Sequence, residues 1–412
     1  MFPPIRSGLL VAALFTALTG QHAHAQSFSE LETRLADHPS LTALGSEADA
    51  ERERSRAATA LPDPVVSVGI NNFPLFDPAF DTFLPTNKSV GIRQDIPSYA
   101  ERRARSEGAL ANAATRDAMR AQQYAALRGE LILLLHHRHH LEHHAALLDA
   151  QEAKYAELKT VLEAEIGSAD TALSRLAEVD VALARLDRDR ADISARLARI
   201  NARLRDLVGE VPPSSMALPP VAPVIWSGSA DQFHAVRVAD AAIGNAEARV
   251  DEARAGWRPD WGVELTYQQR EAGRGGAFSN FEGDDWVSAQ VRFSVPLWAG
   301  QSQAPRLRGA QADRSAAQSR RLAAALAARS EYEVFDAARQ RSLAAMDALT
   351  RQIAAREEQS QALLTRYESG AGSYAPIIDS EIAVLKLRAE IVSERALEAE
   401  AIARMNALLV TQ

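Results

Sequence analysis

No proline falls between Pro97 and Pro212, and none between Pro305 and Pro376. A proline inside a helix costs roughly 3 kcal/mol, because it removes a donor and its ring collides with the preceding turn. Both stretches are rich in Ala, Leu, Arg and Glu, so each reads as long helix. From Pro97 to the Gly167-Ser168 break is about 70 residues, which at 1.5 Å per residue spans on the order of 100 Å. Globular domains do not house helices of that length; coiled coils do.

The two stretches belong to two copies of one plan. Leu61-Pro62-Asp63-Pro64-Val65 and Trp257-Arg258-Pro259-Asp260-Trp261 each follow a helical segment and precede an alternating one. Arg93-Gln94-Asp95-Ile96-Pro97 pairs with Arg292-Phe293-Ser294-Val295-Pro296, Glu107-Gly108-Ala109 with Arg308-Gly309-Ala310, and Gly167-Ser168 with Gly372-Ser373. Each half reads helix, strand, strand, very long helix, break, long helix. The first repeat spans 26–210, with strands at about 64–72 and 88–96 and long helices at 98–166 and 168–209. A Pro-rich linker covers 211–230. The second repeat spans 231–412, with strands at about 259–270 and 285–296 and long helices at 305–369 and 374–411.

Residues 1–25 carry the marks of a secretory signal: Arg6, an apolar run over 8–18, and the small-x-small site Ala23-His24-Ala25. The mature chain is then expected to begin at Gln26, and the formal charge of −8 becomes −9 once Arg6 is removed. That acidic balance argues against nucleic acid as a partner. The absence of cysteine excludes disulfides, Cys-based zinc sites and a lipid anchor on an N-terminal Cys. No window approaches eighteen consecutive apolar residues, so a transmembrane helix is not expected.

Four segments alternate with period two. Val66, Val68 and Ile70 share one face. Val90, Ile92 and Ile96 share another, although Gln94 interrupts it. Trp261, Val263, Leu265 and Tyr267 oppose Gly262, Glu264, Thr266 and Gln268, and Val287, Ala289, Val291, Phe293 and Val295 oppose Ser288, Gln290, Arg292 and Ser294. Each segment approaches the length a tilted strand needs to cross a bilayer, about 9–11 residues. Four of the five tryptophans, at 257, 261, 286 and 298, flank these strands, where an aromatic girdle would lie. Four strands cannot close a barrel, and open edges are not tolerated in lipid. The chain must therefore pool strands with copies of itself; three copies give twelve.

The duplicated Pro-Asp lead-ins, the Pro97 and Pro296 exits into long helices, and the break Arg366-Tyr367-Glu368-Ser369-Gly370-Ala371-Gly372-Ser373 together resemble the TolC-like outer membrane factors over nearly the whole chain. The resemblance implies a mainly α fold with transmembrane β: a trimeric twelve-stranded β-barrel continuous with a long α-helical coiled-coil barrel. It implies a passive exit duct in the outer membrane, not an enzyme. Its partners would be outer-membrane lipid, a periplasmic adaptor and an inner-membrane pump of the RND type. No cofactor is implied. By the same resemblance the two helix breaks are periplasmic tips, with Gly167, Gly370 and Gly372 in the adaptor-docking turns and Tyr367 in the closing network. Asp170 and Asp379, in the first turns after the breaks, are expected to form acidic rings around a three-fold axis. Read locally, the glycines simply end helices and Asp170 caps one.

Six of the ten histidines fall within 136–144. On a helix His136, His140, His143 and His144 share a face, and imidazoles four apart can chelate Zn²⁺, Cu²⁺ or Ni²⁺. That run favours heavy-metal cations as cargo. Drug efflux or type I protein secretion is the alternative, and a pore-less periplasmic coiled-coil scaffold or a metal-binding protein built on the histidines is more distant. No phosphate loop, nucleophile elbow or HExxH motif is present.

Overall fold

The computed structural model describes residues 27–165, 172–276 and 280–410. In chain order the elements are α1 (Phe28–Ala36), α2 (Pro39–Thr59), β1 (Val65–Asn71), β2 (Asn87–Ile96), α3 (Tyr99–Glu165), α4 (Ala172–Val208), α5 (His234–Ala255), β3 (Trp261–Gln269), β4 (Trp286–Phe293), α6 (Gln303–Glu368) and α7 (Ala375–Leu408). The signal segment and the turn holding Gly167 and Asp170 lie outside the described residues.

Two rods organise the molecule. The helices α3 and α6 run 67 and 66 residues, on the order of 100 Å each. Shorter helices flank them in two tiers. Near the sheet, α2 and α5 pack on the first half of α3, through Ser55–Ser106 (2.8 Å), Arg52–Asp117 (2.5 Å) and Asn245–Asn112 (2.5 Å). Beyond them α4 and α7 take over. α7 stops where α5 begins, and a backbone bridge between Phe233 and Leu409 holds the two ends together.

The far tier is a coiled coil by its spacing. Leu148, Tyr155, Leu158 and Leu162 of α3 meet Val179, Leu186 and Ile193 of α4 and Ile378 and Ile382 of α7 in one core. Steps of seven in this set keep the apolar seam on the partner helix as the pair winds. A second core lies where α1 lays Leu31 and Leu35 on Leu127, Leu131 and Leu135 of α3 and Leu204 of α4.

The linker after α4 crosses the wall as a belt. Arg138 of α3, almost fully buried, reaches the Pro212 carbonyl and Ser214 and is held by Glu142 at 2.9 Å. Farther along, Asn406 of α7 donates to the Ala222 carbonyl (2.8 Å) and accepts from the Val224 amide (2.8 Å). Trp226, Phe233 and Tyr332 then stack against α6.

The sheet is a single antiparallel meander, β1-β2-β3-β4. Its two repeats are joined by the second Pro-Asp motif: Asp260 accepts from the Ser98 amide at 3.0 Å, fixing the start of α3 against the start of β3.

Candidate functional site

The sheet carries two chemistries on two faces. Val66, Ile92, Leu265 and Ala289 form one row across it, and Val68, Val90, Tyr267 and Val287 the next. Ile96, Trp261 and Phe293 finish this face toward the helices, with the Trp261 and Phe293 rings 5.5 Å apart. It is bare: Val68 is 80% and Val287 66% exposed. Gln94 falls in the apolar register but turns its amide to the Pro62 carbonyl at 2.7 Å and the Asp95 carbonyl at 2.8 Å.

Across the sheet from these rows, Arg93 stands beside Glu264, and Gly91 between Ser67 and Thr266. Arg292 donates to Glu264 at 2.6 Å. A Cβ added to Gly91 would lie 2.7 Å from Ser67 Oγ and 3.1 Å from Thr266 Oγ1. Polar side chains thus converge as they do on a concave inner surface. The geometry asks for lipid outside and water inside.

Neither β1 nor β4 has a second strand partner among the described residues. The two edges run antiparallel to each other, so β4 of one copy can pair with β1 of another. The helical wall repeats this theme. Its far tier is ordered α4, α3, α7, α6, and the outer helices leave Leu173 and Val181 of α4, and Leu322, Leu326 and Val334 of α6, exposed.

At the end of the sheet away from the helices, residues 72–86 meet residues 270–274. Arg274 bonds Asp81 at 2.9 Å, and Lys88 bonds Glu271 at 2.9 Å. Arg270 stacks its guanidinium 3.7 Å over Trp286.

The α6–α7 turn is built on Gly370, whose φ of +74° is a left-handed conformation that favours glycine. The Ala371 amide returns to the Arg366 carbonyl at 2.9 Å, and a Cβ added to Gly372 would lie 3.7 Å from the Arg366 Cβ. Tyr367 places its ring 5.2 Å from that of Tyr374. Tyr374 donates to Glu157 of α3 at 3.1 Å. Lys154 joins Glu157 at 2.9 Å and Glu381 at 2.7 Å, which holds the Glu157 carboxyl below its usual range.

The fold extends over nearly the whole chain in solved channels. CusC superimposes with a TM-score of 0.76 at 15% identity, covering 93% of this chain and 92% of its own. The outer membrane protein VceC of Vibrio cholerae gives 0.71 at 15% identity (92% and 95%), and the open-state outer membrane channel MtrE of Neisseria gonorrhoeae 0.72 at 17% (92% and 88%). No curated protein matches the sequence. Residues 229–409, essentially the second repeat, match the family described as outer membrane efflux protein. The second repeat carries that family's pattern, and the whole chain has the fold of these outer membrane channels.

The side chains depart from two expectations. Asp379 does not project as a free carboxylate: Arg175 of α4 grips it from the neighbouring hairpin. The histidines, too, are partitioned differently. His143 is exposed, and His137 takes its place beside His140 and His144 in a cavity of about 480 Å³ between α3, α4 and α7. The sector of α3 turned toward α4 and α7 is the one that holds 137, 141, 144 and 148, and it leaves 143 on the solvent side. His136 leaves the group by donating Nε2 to the Pro219 carbonyl at 3.0 Å. His137 stands 3.4 Å from Glu400. Burial holds His136, His137, His140 and His144 below the ordinary histidine range, and His140, with three histidine neighbours and Arg395 nearby, falls to about 4. Among the described residues no three His, Asp or Glu side chains converge on a point where a metal ion would sit.

Proposed function

We propose that three copies of this chain close into one duct: a twelve-stranded barrel in the outer membrane, continuous with a twelve-helix tunnel through the periplasm. The two-faced sheet with unpaired β1 and β4 edges carries this reading. An isolated copy would leave two rows of backbone groups unsatisfied in lipid, at several kcal/mol per group. The apolar residues left exposed on α4 and α6 support the same closure along the tunnel.

As a passive duct it would take its driving force from elsewhere, by docking its helical tips to a periplasmic adaptor and an inner-membrane pump, of the RND type if the cargo is small. The histidine run suggested heavy-metal cations as cargo, but the fold divides those histidines among separate environments. Growth of a deletion strain decides the cargo class. Hypersensitivity to Zn²⁺, Cu²⁺ or Co²⁺ alone makes this a metal-efflux duct; sensitivity to hydrophobic drugs with metals tolerated makes it a drug duct. The duct itself is tested by purification in detergent. A heat-dissociable trimer that conducts in planar bilayers is the expected result, and a water-soluble monomer sinks it.

A further inference from the structure

The cavity at His140 has an unusual balance of charge. Its lining comes from three helices: His137, His140 and His144 from α3, Arg196 and Arg199 from α4, and Ser393 among small and apolar residues of α7. No carboxylate lines it. Most arginines of this chain are paired with a nearby Asp or Glu, as in Arg190 with Asp149 and Glu152 or Arg203 with Glu130. Arg196 and Arg199 are different: among the described residues neither makes an ion pair or hydrogen bond. They stand one helical turn apart on α4, so both guanidinium groups reach the same volume. Val392, Ala396, Leu397, Ile200 and Leu141 complete the walls with apolar surface, which strengthens any charge interaction made inside.

A transition-metal ion suits this place poorly. Two guanidinium groups repel it, no carboxylate is among the lining residues, and no three ligands converge. An oxyanion meets the opposite conditions. Guanidinium groups offer paired N–H donors matched to phosphate-like oxygens, and imidazole N–H groups supply further donors around them.

We propose that this cavity binds a small dianionic oxyanion of the phosphate class, held chiefly by Arg196 and Arg199, with His140 and His144 completing its donors and Ser393, whose hydroxyl donates to the Ala389 carbonyl at 3.2 Å, at its edge. Bound there, the anion links α4 and α3 of the first hairpin to α7 of the second. The site is made by one chain and does not depend on how many copies assemble or what they export.

The test is isothermal titration calorimetry of the purified full-length protein in detergent, in chloride buffer, with inorganic phosphate and, separately, with Zn²⁺. The expected result is saturable phosphate binding, one per chain, weakened at least tenfold in R196Q/R199Q and weakened less in R196K/R199K. Both arginines are exposed, so the glutamine variant should migrate on gels as the same heat-dissociable oligomer as the parent. A second readout follows the imidazoles by NMR. Phosphate should raise the titration midpoint of His140, whose other charged neighbours are His136, His137, His139 and Arg395, with Glu400 and Arg404 of α7 at His137 and Arg196 and Asp189 of α4 close to His144. Absence of saturable phosphate binding overturns the proposal, as does phosphate binding equal in R196Q/R199Q. Stoichiometric Zn²⁺ binding lost in H137A/H140A, with phosphate silent, overturns it in favour of a metal site.

Discussion

Arg175 on α4 and Asp379 on α7 are 204 residues apart in sequence and joined by an ion pair, just inside the two hairpin ends. With the Lys154–Glu381 and Tyr374–Glu157 contacts, the pair ties the first hairpin of a copy to its second. Both side chains are partly exposed, so the pair contributes at most about 1 kcal/mol to stability. Its effect belongs on the relative position of the hairpins.

Removing either partner is therefore expected to widen the narrow end of the duct without unfolding it. In planar bilayers, Asp379→Ala and Arg175→Ala should each raise single-channel conductance, and the double variant should not exceed the larger single effect by much. The charge exchange D379R/R175D should return conductance toward the parent. Unchanged conductance in both single variants would remove this pair from any gate.

Gly91 offers a test of which sheet face is inward. Gly91→Ala pushes a methyl group to 2.7 Å from Ser67 Oγ, and overpacking of this kind costs roughly 1–3 kcal/mol. The oligomer should dissociate at lower temperature on gels, and Ser67→Gly in the same chain should restore most of the loss. Gly91→Ala at parental heat resistance would argue that the polar face is not crowded.

Arg138 is the anchor of the belt. Arg138→Met leaves the Pro212 carbonyl and Glu142 without their buried cation, and breaking such a pair costs roughly 3–5 kcal/mol. Earlier unfolding in denaturant is expected, together with proteolytic cleavage within 211–223. A variant as protease-resistant as the parent would show that the belt is held elsewhere.

Acid should weaken the wall at the histidines. His140 has a folded-state pKa of about 4, below the ordinary value of 6.5, with burial as the main cause. An imidazole whose folded pKa is depressed binds its proton more readily in the unfolded chain, so stability falls as pH drops from about 6.5 toward 4. His136, His137 and His144 shift in the same direction. Replacement of His140 by Gln should flatten part of that pH dependence in thermal unfolding; an unchanged slope would assign it to other groups.

Much of the architecture was legible in the sequence because its signals are local. Period-two alternation marks β1 to β4, and the long intervals without proline mark α3 and α6. Gln94 looked like a flaw in the apolar face until the Pro62 carbonyl beside it came into view; that neighbour is set by how the chain turns into the strand. The site residues were harder. His140 and His144 can be grouped with His143 or with His137 on one helix, and only the packing of α4 and α7 selects the side that holds His137. The partner of Asp379 lies on another hairpin, and nothing in the local pattern announces Arg175. Arg196 and Arg199 gave no signal at all, since an unpaired arginine is recognised only once its neighbours are known.

The unpaired edges of β1 and β4 have a consequence for the cell as well as for the bilayer. Each seam of the proposed barrel is shared, so one defective copy spoils two of the three seams around it. Loss of function in a mixed population should then fall more steeply than the fraction of faulty chains, because a single faulty chain disables the sound copies that assemble with it. Insertion and assembly also become one event, and the yield of ducts should rise with a high power of the concentration of exported chains.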